Sequence, residues 1–314
     1  MITNPGSFQH FRETVDASQS RVTRLPHRIW LFGGRFAAEK TSPPLSLRDA
    51  FNRSCLERSH GWIEEITCPE DYPDWLAFSG YEDLLLFERD AGLLSRAIVL
   101  FVESEGAIAE LGAFALDDQL HKKLFVVISR KFRESPYRQS FLNLGPLKRI
   151  ESLRPGEADS IPNICVIDAE KAAHITPVEL EIIFQSLDDW LKSGYATERF
   201  RKDNPRHKLL LVADLVDVLQ ILSERQALEA LKHFGIEIEK VEIRRLAKLL
   251  DLMGLIRFSE RGSERFLVRQ KSIEPLLEYN AIEGRRFDRL SFKTKAWTLM
   301  KSDPHLSPLL ETIR

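Results

Sequence analysis

The chain has 314 residues, 43% of them hydrophobic and 29% charged, and its 45 lysines and arginines against 47 aspartates and glutamates leave a formal net charge of -2. That length suits one large or two ordinary globular domains, and the near balance of charge excludes a surface built throughout for nucleic acid or anionic membrane. No apolar run approaches the roughly 18 residues of a bilayer span, and the opening MITNPGSFQHFRETVDASQS lacks the basic-then-apolar order of a secretory signal, so a cytoplasmic location without a membrane partner is expected.

In chain order, residues 1–26 are polar without sustained periodicity and suit a loosely held arm. Arg28-Ile29-Trp30-Leu31-Phe32 is a strand ending at Gly33-Gly34, and a Ser/Pro-rich interruption leads to a helix over Ser46–Phe51. A helix over Leu84–Leu94, a strand over Ala97–Val102, a helix over Ala109–Leu120 and a strand over Lys123–Ile128 follow. This alternation predicts an α/β fold with a doubly wound parallel sheet, assigned to residues 27–160.

In such a sheet ligands bind beyond the carboxyl ends of the strands. Gly33-Gly34 stands at one such end; it permits positive φ and close backbone approach, and the amides there would hold a phosphate or ribose unless the pair is a plain tight turn. At a second end, ESEGAIAELGAF places Glu103, Glu105 and Glu110 around Gly106, which allows a sharp turn and puts Glu110 in the first turn of the next helix. A helix amino terminus keeps a carboxylate ionised, although the same dipole favours glutamate there for stability alone. Cleavage of an N-glycosidic bond needs a carboxylate at the anomeric carbon and an acid for the departing base. Glu110 fits the nucleophile; Glu103, Glu105, Glu88 or Asp90 would be the acid or hold ribose hydroxyls.

Three ordered blocks, Gly33-Gly34, the run Phe101–Phe114 with Glu103-Ser104, Gly106 and Glu110-Leu111-Gly112-Ala113-Phe114, and Phe141-Leu142-Asn143-Leu144-Gly145-Pro146-Leu147-Lys148, resemble the nucleoside deoxyribosyltransferase-like family over residues 28–150. They are most similar to its branch of effector (toxin) proteins of bacterial retrons. The resemblance implies an N-glycosidase with Glu110 as nucleophile, Asn143 near the sugar or base, and Glu88 near the acidic residue that the transferases keep on the helix before the central strand. Ser104 stands where the transferases carry an aspartate, with Glu103 one position earlier, which leaves the base-protonating acid open. The branch is associated with hydrolysis of a nucleotide, a nucleoside or NAD. The candidate set is catalytic Glu110, Glu103 and Glu88, and substrate-binding Gly33, Gly34, Ser104, Gly106, Asn143 and Asp90.

Residues 161–204 read as a connecting segment with a helix over Val178–Leu191. Helices over Leu209–Leu222, Glu224–Phe234 and Val241–Leu252 then precede a hairpin of Leu255–Phe258 and Arg265–Val268 around Ser259–Glu264. Three helices and a hairpin predict a winged helix over residues 205–275. Lys240, Arg244 and Lys248 share a helix face with Arg245 beside them, and Arg257, Arg261 and Arg265 mark the wing; Lys240, Arg244, Arg245, Lys248 and Arg261 are the nucleic-acid candidates. Interspersed Glu237, Glu239, Glu242, Glu260 and Glu264 leave a solvated or protein-binding face as the alternative. Residues 276–314 form a basic tail in which Gly284–Leu290 and Phe292–Lys295 offer a second contact. The resemblance implies a retron reverse transcriptase and its msDNA as partners and an inactive state held in that complex; whether the assembly is oligomeric stays open.

Cys55, Cys68 and Cys165 are scattered without a CxxC pair and read as buried thiols, and the eight histidines lack paired spacing, so neither a metal nor a cofactor is expected. Trp30, Trp62, Trp75, Trp190 and Trp297 supply core area, with Tyr72 and Trp75 as alternative walls of the sugar-base pocket. The rivals to an N-glycosidase are a nucleotide phosphoribohydrolase on a related fold, whose phosphate loop is missing, and a non-enzymatic nucleotide sensor or transcription regulator acting through the winged helix.

Overall fold

The computed structural model describes residues 5–37, 42–72, 80–152, 163–192, 196–271 and 273–310; Trp75 lies outside them. In chain order the first elements are α1 (Pro5–Thr14), β1 (Val15–Val22), β2 (Ile29–Phe32), α2 (Leu47–Leu56), β3 (Ile66–Thr67) and α3 (Leu84–Leu93). Then come β4 (Ala97–Val102), α4 (Glu105–Leu116), β5 (Leu124–Ser129), α5 (Lys148–Glu151), β6 (Ile164–Ile167) and α6 (Pro177–Leu191). The remainder is β7 (Glu198–Arg199), α7 (Pro205–Leu219), β8 (Ile221–Ser223), α8 (Glu224–His233), α9 (Lys240–Leu252), β9 (Arg257–Arg261), β10 (Glu264–Val268), β11 (Leu277–Ala281), α10 (Arg289–Lys301) and α11 (Ser307–Leu310). Among the described residues no helix is long and apolar enough to cross a membrane. Packing divides the chain into one unit of residues 26–73 and 95–194 and another of 1–25, 74–94 and 195–314.

The unit of residues 26–73 and 95–194 is built on a five-stranded parallel sheet of order β3-β2-β4-β5-β6. Every residue of β2, β4 and β5 is buried, which is why these strands read as unbroken apolar runs rather than alternating ones. Ile29, Leu31, Val99, Phe101, Phe125 and Val127 pack one face against Leu47, Phe51 and Cys55 of α2 and Ile183, Leu187 and Trp190 of α6. On the other face the ring of Phe32 meets Phe114 of α4 at 5.2 Å. Burying each such aromatic side chain contributes about 1.5–3 kcal/mol. Helix starts are fixed by side-chain caps: Ser46 accepts from the Asp49 amide, Ser104 from the Ala107 amide, and Thr176 forms a reciprocal box with Glu179. The chain runs from β2 outward to β3 and returns to the other side at β4, so the strand order reverses between the carboxyl ends of β2 and β4.

In the other unit the N-terminal stretch is not a loose arm. Phe8 and Phe11 of α1 are buried, and β1 lies between β11 and β7 in an antiparallel sheet. Phe11 meets the rings of Tyr279, Phe287 and Phe292 edge-on at 5.3 to 6.1 Å, so the segment that carries these three rings is packed structure rather than a free tail. Arg289 and Lys293 of that stretch turn inward to Asp214 and Asp217 of α7, with Asp214 also accepting from the Leu276 and Leu277 amides. They are therefore not free for a second nucleic-acid contact.

The helix expected over Leu209–Leu222 ends at Leu219, because Gln220 takes a positive φ of 69° and Ile221–Ser223 pairs with β10 instead. The hairpin is tighter than expected: pairing continues to Arg261 opposite Glu264. Helix α3, expected beside β4, belongs to this unit and packs on α7. Trp30, Trp62 and Trp190 are buried, whereas Trp297 is 37% exposed. The three cysteines are free and buried.

Candidate active site

The site lies at the carboxyl ends of β2 and β4, where the strand order reverses and an open α/β sheet leaves a crevice. From β4 the chain passes through Glu103 and the capping Ser104 into α4, and Glu110 follows in the second turn of that helix. The expected placement differs in two respects. The helix starts at Glu105, so Gly106 lies inside its first turn, where a Cβ would meet only Ser104 Oγ at 3.9 Å; the turn does not need glycine. Glu110 is also not held ionised by the helix terminus: burial raises its carboxyl to about 7, with Arg48 opposing and Glu70 reinforcing the rise. Its Oε2 is buried without a hydrogen-bond partner.

Glu103 has a framing role. Its carboxylate accepts from the Gly34 and Arg48 amides, both at 3.0 Å, and from the Leu47 amide. It thus ties the loop after β2 to the amino terminus of α2, where a negative charge is favoured, and its oxygens are occupied by backbone rather than open to a leaving base. The glycine pair is required by the same clamp. Gly33 has φ 149°, and a Cβ there would stand 2.8 Å from Phe101 Cβ; at Gly34 it would stand 2.6 Å from Ser46 Cβ. The Gly34 amide, expected for a phosphate, is taken by Glu103. The Ser104 hydroxyl is likewise engaged as the cap of α4.

Asn143, expected near the sugar, is buried in a π-helical turn and latches the preceding loop. Its Nδ2 donates to the carbonyls of Phe132 and Tyr137, and its Oδ1 accepts from Arg133 Nη1 at 2.7 Å. Glu88 and Asp90 are buried on α3 in the unit of residues 1–25, 74–94 and 195–314. Asp90 accepts from Tyr81 at 3.2 Å and faces Arg245 at 3.8 Å, and burial raises its carboxyl.

Three residues not singled out by sequence complete the site. Arg48, with its side chain 3% exposed, donates to the Leu31 carbonyl at 3.1 Å and to both oxygens of Glu70, at 3.2 and 2.6 Å. Its guanidinium lies 4.1 Å from the centre of the Phe36 ring. A signal for Arg48 was present: it stands three and seven residues before Phe51 and Cys55, a charge in the apolar stripe of α2. Nothing local marks Glu70 or Phe36. The site therefore has one half-buried carboxyl with a buried, unpartnered oxygen, one buried cation and an aromatic ring.

On α9, Lys240 is exposed, but Arg244 pairs with Glu224 and Arg245 is turned toward Asp90 and the Tyr81 ring. Arg261, at the hairpin tip, donates to the His305 carbonyl at 3.3 Å.

Two curated proteins of Escherichia coli match parts of the chain. One, named "Retron Ec73 putative ribosyltransferase/DNA-binding protein", is 36% identical over 100 residues, 32% of this chain and 30% of that protein. The other, named "Retron Ec86 putative ribosyltransferase/DNA-binding protein", is 38% identical over 85 residues, 27% of each. The matched stretch thus spans less than a third of either relative. The family model described as STM3845 retron effector protein matches residues 44–258, which include α4 with Glu110 and the segment from α7 to β9. The chain belongs to the STM3845 retron effector protein family.

Proposed function

We propose that the chain is the effector of an antiphage retron and cleaves the N-glycosidic bond of a nucleotide, a nucleoside or NAD with Glu110 as nucleophile. The observation that carries this reading is the half-buried Glu110 carboxyl, its Oε2 buried and unpartnered, at the reversal of strand order. In the first step a carboxylate oxygen of Glu110 bonds to the anomeric carbon while the C–N bond breaks, its electron pair leaving with the base. In the second, water attacks the same carbon, loses a proton and frees Glu110. Glu103 frames the site instead of protonating the base. A nicotinamide leaving group needs no proton, because its ring nitrogen is cationic while bonded to the sugar; any other base takes its proton from solvent or substrate.

The order α7, β8, α8, α9, β9, β10, with the antiparallel sheet β8-β10-β9, fits a winged helix over residues 205–275. Its proposed role is to dock on msDNA or the reverse transcriptase and keep the effector silent. Lys240, exposed on α9, and Arg261, at the hairpin tip, are its proposed phosphate contacts, a smaller basic face than the spacing suggests because Arg244 and Arg245 are engaged within the chain. The DNA-binding names of the two relatives support this role.

The test is to incubate the purified protein, alone and with its reverse transcriptase and msDNA, with NAD and a panel of nucleotides and nucleosides. Release of free base that is lost in Glu110→Gln supports the reading. No release from any of them under either condition sinks it.

A further inference from the structure

Arg48 stands between two carboxylates. Its Nη1 and Nη2 form a fork on Glu70, yet its Nε is buried with no partner, and so is Oε2 of Glu110. Buried polar groups are rarely left unpaired, and here the two orphans are a cationic donor and a carboxyl oxygen at one edge of the sheet, each lacking the bond the other would supply. The Arg48 charge also acts on Glu110. Besides the Leu31 carbonyl, which takes one Nη1 hydrogen bond at 3.1 Å, the guanidinium is held by Glu70, whose side chain is 54% exposed and sits on the three-residue turn Pro69–Asp71. A half-exposed carboxylate leaves an ion pair for water at little cost, whereas Arg48 and Glu110 are fixed on the longer helices α2 and α4.

We propose that Arg48 is the positioning residue for Glu110 and that Glu70 is its competitor, holding the guanidinium in the resting chain and giving it up to Glu110 when substrate enters. This rests on Glu110 as the nucleophile. The charged groups that act on Glu110 are Arg48 from α2 and Glu70 from the turn after β3, while the Glu103 carboxylate at the end of β4 is bound by backbone amides. Asp49, next on α2, is directed to Arg53 at 2.8 Å. One available cation therefore faces two carboxylates that are not otherwise paired. With Arg48 on Glu70, burial dominates at Glu110 and favours its protonated, unreactive form. With Arg48 on Glu110, the carboxylate is ionised and its free rotation is restricted, the state that attacks an anomeric carbon.

The test is a carbon-13 NMR titration of the Glu110 carboxyl in the wild type, Glu70→Gln, Arg48→Met and Arg48→Lys, beside the pH profile of kcat/KM. Glu70→Gln is expected to lower the Glu110 midpoint by about one pH unit and Arg48→Met to raise it by a similar amount, the usual scale for one nearby charge. Arg48→Lys is expected to restore part of the loss, and the acid limb of kcat/KM to move with the midpoint. A merely structural role for the pair would not move the midpoint in opposite directions. A Glu110 midpoint that stays fixed in Glu70→Gln, or moves the same way in Glu70→Gln and Arg48→Met, overturns the proposal even if base is released. Opposite shifts without base release from any substrate would leave the competition for Arg48 standing and remove the glycosidase function. Should the Arg48 variants fail to fold, Glu70→Gln, at a half-exposed position, decides alone: a lowered midpoint supports the proposal and an unchanged one ends it.

Discussion

Glu103 Oε1 accepts the Gly34 amide at 3.0 Å, across 69 residues of sequence, and the same carboxylate also binds the Leu47 and Arg48 amides. One side chain at the end of β4 thereby fixes both the loop after β2 and the start of α2, the helix that carries Arg48 to the site. Glu103→Ala leaves three partly buried N–H groups without their acceptor and is expected to cost on the order of 3 kcal/mol, since each unsatisfied group costs about 1–3 kcal/mol and water reaches part of the loop. Urea denaturation measures the loss, and faster hydrogen exchange at the Gly34, Leu47 and Arg48 amides locates it. Unchanged exchange at those amides would remove Glu103 from the framing role.

Gly34→Ala tests the closeness of the same contact. A Cβ 2.6 Å from Ser46 Cβ and 3.0 Å from the Glu103 carboxyl carbon has no flexible chain end to displace on the serine side. The expected destabilisation is about 1–3 kcal/mol, the usual cost of overpacking. Gly106→Ala, where a Cβ meets only Ser104 Oγ at 3.9 Å, is expected to be neutral or slightly stabilising. Thermal melts of the two variants side by side check the contrast.

Strands β2, β4 and β5 are legible because each is a short apolar run buried on both faces; Ala97–Val102 holds from sequence to structure without a shifted residue, whereas the two-residue β3 and the half-buried β6 carry no such run. The helix after it was read as beginning at Ala109, because the polar first turn Glu105-Gly106 masks a start that the Ser104 cap reveals. The sequence marks Glu110 but not its ionisation: the dipole argument is local, whereas the burial that raises its carboxyl depends on how α4 meets the sheet. The Glu103 clamp and the Arg48–Glu70 fork join segments 22 to 69 residues apart, and no periodicity encodes such pairings. Strand β1 was missed because VDASQSRV carries few apolar residues and a register shift between Asp16 and Arg21.

The raised Glu110 carboxyl predicts a pH dependence of stability with a definite sign. Its folded value of about 7 lies above the ordinary 4.5, so the native state binds more protons between those values. The stabilisation is full below about 4.5, declines as pH rises through 7, and is absent above it. Glu110→Gln removes this dependence and is expected to be the more stable protein at pH 8 by up to about 3 kcal/mol, an upper bound set by the size of the shift. Denaturation of both proteins at pH 5 and pH 8 checks it; a difference that does not grow with pH would contradict the burial of an ionisable Glu110.

On α9 and the hairpin the basic residues are expected to separate into two classes. Arg245→Ala removes one of the cations facing Asp90, beside Arg89, and the packing on Tyr81, and is expected to destabilise the chain by about 1–3 kcal/mol, because it weakens the compensation of a buried carboxyl. Lys240→Ala and Arg261→Ala are expected to leave stability unchanged and, if this face binds msDNA, to reduce the slope of log K against log salt by about one each. Fluorescence anisotropy at several salt concentrations makes the measurement.

The central claim is that Glu110 forms a bond to the anomeric carbon. Its most direct test is mass spectrometry of the chain after exposure to a 2-fluoro-arabinosyl analogue of whichever substrate releases base, an analogue whose fluorine slows hydrolysis of a covalent intermediate. The account predicts a sugar adduct on the peptide containing Glu110, absent from Glu110→Gln. Base release that persists in Glu110→Gln, with no adduct on the wild-type peptide, would contradict it.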